Sequence, residues 1–94
     1  MSTKKLSNIS VAKFQAFLDL CQCKRIGING GHEKWTRADL TRPIIIQTHI
    51  DPIPEFIIKN NLRGLKYTKK QFFQILDGEI EIKRIGDKFT IEQV

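Results

Sequence analysis

Long apolar runs are missing from this chain: no stretch has the length or hydrophobicity to form a transmembrane helix. The opening residues, Met1-Ser2-Thr3-Lys4-Lys5-Leu6, lack an apolar run of signal-peptide length, so the expected location is the cytoplasm. Cysteine is scarce. Cys21 and Cys23 are the only two, and their C-x-C spacing is poor for an intrachain disulfide but suits reduced thiols. Together with His32 and His49 they make up four potential metal ligands. A C-x-x-C knuckle and a closely paired H-x-x-x-H are both lacking, so no metal and no cofactor is expected, and Cys21 reads as a small core residue. Proline and glycine are few, and neither internal repeats nor low-complexity segments occur. What remains is one ordinary globular chain of 94 residues, enough for a single modest core.

Acidic residues are also short in supply, and unevenly so. Residues 1–76 carry 13 Lys and Arg against 5 Asp and Glu, whereas residues 77–94 carry 3 against 5. The body is thus at +8 and the tail at −2, for a net charge of +6. A small basic body favours a polyanion, most simply nucleic acid. The competing reading of the same charge is a solvated surface, and the Lys4-Lys5 and Lys69-Lys70 pairs are assigned to it.

Local signals give an order of elements. Ser10 is a good N-cap, Ile9 and Phe14 have the spacing of a hydrophobic staple, and Val11, Phe14, Phe17, Leu18 and Cys21 recur at helical period. A first helix is predicted from there to about Cys21. Lys24 to Ile28 alternates and meets Asn29-Gly30-Gly31, which predicts a hairpin into a strand over 32–36. Arg42 to Gln47 is a third strand, placed at a sheet edge because Pro43 cannot donate to a ladder. A second helix opens near Pro54, with Asp51 or Ile53 near its cap and Ile58, Leu62 and Leu65 on its buried face. Thr68 and Gln71 form a capping box for a short third helix that Asp77-Gly78 stops. The tail alternates on either side of Gly86-Asp87, a candidate β-hairpin that would set Ile82 opposite Ile91 and Arg84 opposite Phe89.

The fold class is therefore α+β: a three-stranded antiparallel sheet with helices on one face, in the order α-β-β-β-α-α, and a candidate C-terminal hairpin. Residues 1–78 form the domain, and residues 79–94 are a tail expected to be dispensable for it. The stretch that organises the rest is Gly30-Gly31-His32-Glu33-Lys34-Trp35. It is closed downstream by Thr48-His49-Ile50-Asp51-Pro52. Alternation puts His32, Lys34 and Thr36 on one face and Glu33, Trp35 and Arg37 on the other. The large Trp35 belongs in the core, so His32 and Lys34 should face solvent or a ligand.

Laid out in this way, the chain resembles the HicA family of bacterial toxins over roughly residues 7–76. The resemblance rests on the N-terminal amphipathic helix and on Gly30-Gly31-His32 at a strand start. Pro43-Ile44-Ile45-Ile46-Gln47-Thr48-His49, Leu62-Arg63-Gly64-Leu65 and Thr68-Lys69-Lys70-Gln71-Phe72-Phe73 complete it. It implies a double-stranded-RNA-binding-domain-like fold, an mRNA-cleaving ribonuclease and a HicB-like antitoxin as partner, bound over His32. The family's catalytic histidine falls on His32. Many members have Ser or Thr at the middle position of that motif, where this chain has Gly31.

The chemistry fits a chain without a metal motif, because RNA carries its own nucleophile in the 2′-hydroxyl. A histidine serves as base toward that hydroxyl or acid toward the leaving 5′-oxygen. Lys24, Arg25, Lys34 and Arg37 are the cations expected to hold the RNA and stabilise phosphorane charge, with Gly31 at the backbone approach. His49 is assigned a structural part, bonding the strand-to-helix turn beside Asp51. A non-catalytic RNA-binding module on the same fold is the alternative, and fold alone does not choose between them.

Overall fold

The computed structural model describes residues 5–94, so Lys4 of the Lys4-Lys5 pair lies outside the described residues. Ser10 is extended and its hydroxyl accepts the Lys13 N–H at 3.0 Å, which starts α1 (Val11–Leu20). Ile9 and Phe14 are buried on either side of that cap, as the staple spacing predicts. A second acceptor meets the same helix end: Asp51 Oδ1 takes the Val11 N–H at 3.0 Å, from forty positions away. Asp51 thus caps α1 instead of α2 (Glu55–Leu65), which begins after Pro54 with no side-chain cap. The cause is the path of the chain before α2, which runs back past α1 and bonds the Ile53 N–H to the Ile9 carbonyl.

The sheet is antiparallel, in the order β1 (Lys24–Asn29), β2 (His32–Thr36), β3 (Ile44–Gln47). Pro43 lies just before the edge strand β3, where its missing N–H costs no ladder bond. The register of β1 slips between Arg25 and Gly27, and all six of its residues stay exposed. In β2 and β3 the alternation is clean. Glu33, Trp35, Ile44 and Ile46 are buried, with Trp35 opposite Ile44 and Glu33 opposite Ile46. Behind them Phe14, Phe17, Leu18, Ile58 and Phe72 are fully enclosed, and the rings of Phe17 and Phe72 lie 4.6 Å apart.

Both halves of the capping box form at α3 (Lys69–Leu76). Thr68 Oγ1 accepts the Gln71 N–H and Gln71 Oε1 accepts the Thr68 N–H. β4 (Ile80–Ile85) and β5 (Lys88–Gln93) pair around Gly86-Asp87, with Ile82 opposite Ile91 and Arg84 opposite Phe89. The described residues measure 37 × 36 × 18 Å. The short axis holds a sheet and one layer of helices, since packed layers stand about 10 Å apart, and the second face of the sheet is open.

The tail departs from expectation. Ile80 and Ile82 are buried in the same core as Phe14 and Phe72, and the Gln22 side-chain amide donates to the Ile82 carbonyl at 2.9 Å. The body alone therefore leaves one side of its core uncovered. Truncation after Gly78 should cost about 3–6 kcal/mol, the worth of burying two isoleucine side chains. Urea unfolding of the full and shortened chains measures this, and equal midpoints would show the tail to be dispensable after all.

Candidate functional site

Glycines 30 and 31 both have positive φ, +58° and +83°, which carries the chain through the tight turn into β2. The Gly31 carbonyl then accepts two hydrogen bonds from Thr48: its backbone N–H at 2.8 Å and its Oγ1 at 3.0 Å. This clamp ties the start of β2 to the end of β3, where His32 already pairs with Gln47. The consequence is that His32 and His49 meet. Their ring centroids are 6.1 Å apart in an edge-to-face arrangement, with His32 half-buried and His49 exposed. The expected bond from His49 to the strand-to-helix turn does not form. That turn is held instead by backbone, including the Ile50 N–H to the Gln47 carbonyl.

The open face carries His32, Lys34 and Thr36, with Lys24 opposite Thr36 and Ile45 opposite Lys34. Lys24 and Lys34 are exposed. Alongside lies an open hollow of about 600 Å³, lined by Ile26, Gly27, Ile28, Asn29, His32, Lys34 and Ile45. Of the residues expected to hold RNA, Gly31, Lys24 and Lys34 therefore share the face of His32.

Two do not. Arg37 is buried, and its guanidinium donates to both oxygens of Asp39 at 2.7 and 2.8 Å, to the Cys21 carbonyl at 3.0 Å and to the Tyr67 hydroxyl at 2.8 Å. The Phe89 ring lies 4.3 Å from its central carbon. Burial works against the charged form, but the bonds to Asp39 and Tyr67 outweigh it and raise the Arg37 pKa. Arg37 is an internal tie and is not available to a phosphate. Its place was legible, since alternation set it on the Trp35 face. Arg25 projects on that same side, opposite Trp35, and bonds Glu33 at 3.3 Å with half its side chain exposed.

Glu33 is the residue that charge patterning passed over. It is buried and accepts from Gln15 Nε2 at 2.9 Å, Trp35 Nε1 at 3.1 Å and Arg25. Burial alone would raise its carboxyl, but these three donors hold it below the usual range. Cys21 and Cys23 lie in the core, away from the exposed sheet face; burial pushes the Cys21 thiol up strongly and the Cys23 thiol up to about 11. Among the described residues no group of three or more histidines, cysteines and carboxylates gathers in one place. No described helix is long and apolar enough to cross a membrane.

These contacts make two stability predictions. Arg37→Lys keeps the charge but loses the planar fork, and should destabilise by about 2–3 kcal/mol in denaturant unfolding. Because the folded-state pKa of Glu33 is depressed, its contribution is full above the unfolded value, about 4.3. It is lost as pH falls through the lower folded value. Glu33→Gln should therefore cost about 1–3 kcal/mol near pH 7. Its stability should also fall less steeply than that of the wild type between pH 5 and pH 3 (about the range in which carboxylates titrate). Parallel acid profiles of the two proteins would contradict the assignment.

The chain matches no protein-family model, no curated protein and no solved structure, so the site is read from its own geometry.

Proposed function

We propose that this chain is a HicA-like toxin, a metal-independent ribonuclease acting on mRNA with His32 in proton transfer. The observation that carries the reading is the setting of His32. It stands on an uncovered sheet face that also presents Lys24 and Lys34, at the rim of a hollow with apolar walls. Lysines on one open face can hold a phosphodiester backbone, and Ile26 and Ile45 offer an apolar surface against which a ribose or base can lie. The helix order and the single open face support a double-stranded-RNA-binding-domain-like fold. His32 at the strand start favours an enzyme over a binding module, which grips RNA with loops and helix ends and needs no imidazole on its sheet.

A HicB-like antitoxin is the partner in this reading. Ile26, Ile28 and Ile45 are each at least two-fifths exposed, and Phe56 is 64% exposed. Exposed apolar surface of this kind marks an interaction site, and Ile45 belongs both to the hollow beside His32 and to a second one containing Phe56. An antitoxin seated there covers the site, in a cytoplasmic protein that is otherwise harmful to its host.

His32→Ala tests the function. The mutant should fold like wild type, bind RNA with similar salt-sensitive affinity, and lose about two to four orders of magnitude in cleavage rate. The assay is purified protein and a defined RNA in chelator, with the products examined for 2′,3′-cyclic phosphate and 5′-hydroxyl ends. Wild-type cleavage by the mutant would remove His32 from the mechanism. RNA binding without cleavage by the wild type would favour the binding module.

A further inference from the structure

We propose that His49 is the second proton-transfer group of this site, so that cleavage uses a pair of imidazoles. The inference rests on the ribonuclease reading and deepens it. One imidazole takes the proton of the 2′-hydroxyl while the 2′-oxygen bonds to phosphorus. The bond from phosphorus to the 5′-oxygen breaks as the other imidazole, starting protonated, gives its proton to that oxygen. The products are a 2′,3′-cyclic phosphate and a 5′-hydroxyl. One proton has been taken up and one released, and exchange with water resets the pair.

Three features of the structure point to the pair. A hydrogen bond to an oxygen spans about 2.8 Å, so two rings whose centroids are 6.1 Å apart are close enough for both to reach the oxygens of one phosphodiester lying across the pair. The approach is built by the backbone: the pairing of His32 with Gln47 and the two bonds from Thr48 to the Gly31 carbonyl hold the turn against the end of β3. Gly31 itself makes room for it. A Cβ at that position would stand 3.2 Å from His49 Nδ1, on a backbone with φ +83° that disfavours any side chain. Gly31 thus leaves beside His49 Nδ1 a space that a side chain would crowd. His49 is meanwhile exposed, outside the core, and neither ring is hydrogen-bonded to another described residue.

The test uses wild type, His32→Ala, His49→Ala and His49→Gln on one RNA whose cleavage site has been mapped with the wild type. It also uses the same RNA with sulfur in place of the bridging 5′-oxygen at that site. A thiolate leaves without being protonated, so the sulfur substrate spares the acid but not the base. His49→Ala and His49→Gln should keep the wild-type unfolding midpoint and lose about 10²–10⁴-fold in rate on the oxygen substrate. One of the two alanine variants, and only one, should recover most of the wild-type rate on the sulfur substrate. Cleavage by His49→Ala within a few-fold of wild type would overturn the pair while leaving the ribonuclease reading intact. So would activity restored by glutamine, which bonds but does not carry a proton, or rescue of both variants or of neither. A wild type that cleaves neither substrate would instead bring down the ribonuclease reading, and the pair with it.

Discussion

The buried guanidinium of Arg37 is the contact on which the arrangement of the elements depends. It joins the end of α1 through the Cys21 carbonyl, the segment before α3 through Tyr67, its own loop through Asp39 and the C-terminal hairpin through Phe89. A buried cation is tolerated when its donors are largely met, and here a bidentate carboxylate and two neutral acceptors take four of the five N–H donors. The bonds from Arg37 hold the Asp39 carboxyl below its usual range despite partial burial. A planar fork reaches all these partners at once, which the single ammonium of a lysine does not.

A second buried charge sits on the same side of the sheet. Glu33 lies between the Trp35 indole and Gln15 of α1, with Arg25 at its outer edge. It gives the indole N–H an acceptor in the core, so the largest side chain of the sheet is enclosed without an unmet donor. Both charges lie on the helix side. The opposite face is thereby left with His32, Lys34 and Lys24, and neither lysine is in an ion pair with another described residue. Of the sheet's own charges, Arg25, Glu33 and Arg37 are paired on the helix side, and Lys24 and Lys34 stand on the open side.

The front face gains its geometry from one carbonyl. Gly31 supplies an acceptor to both donors of Thr48, and that short junction sets the distance between two imidazoles that are seventeen positions apart in the chain. A turn with two left-handed glycines brings the backbone close enough for this, and a side chain at Gly31 would meet His49. The frame of the site is therefore backbone, and the two imidazoles project from it.

What the sequence determined by itself was local. Ser10 and Thr68 each accept an N–H three residues on, the Gly86-Asp87 turn sets the register of its own hairpin, and alternation in 32–37 sorts inward from outward side chains. These depend on backbone geometry over a few residues, and they are legible wherever one favourable residue type stands at the required spacing. The same alternation placed Arg37 beside Trp35, yet its charge suggested a solvent role, because a residue type does not reveal whether distant acceptors await it. Tertiary structure decided what lay between segments. Asp51 caps α1 from forty positions away, and Gln22 binds the hairpin from sixty. The tail joins the core because the body leaves a side of it uncovered, and His49 stands beside His32 because antiparallel pairing sets the start of β2 against the end of β3. Such contacts form only once the elements have packed, and no short-range preference in either segment encodes its partner.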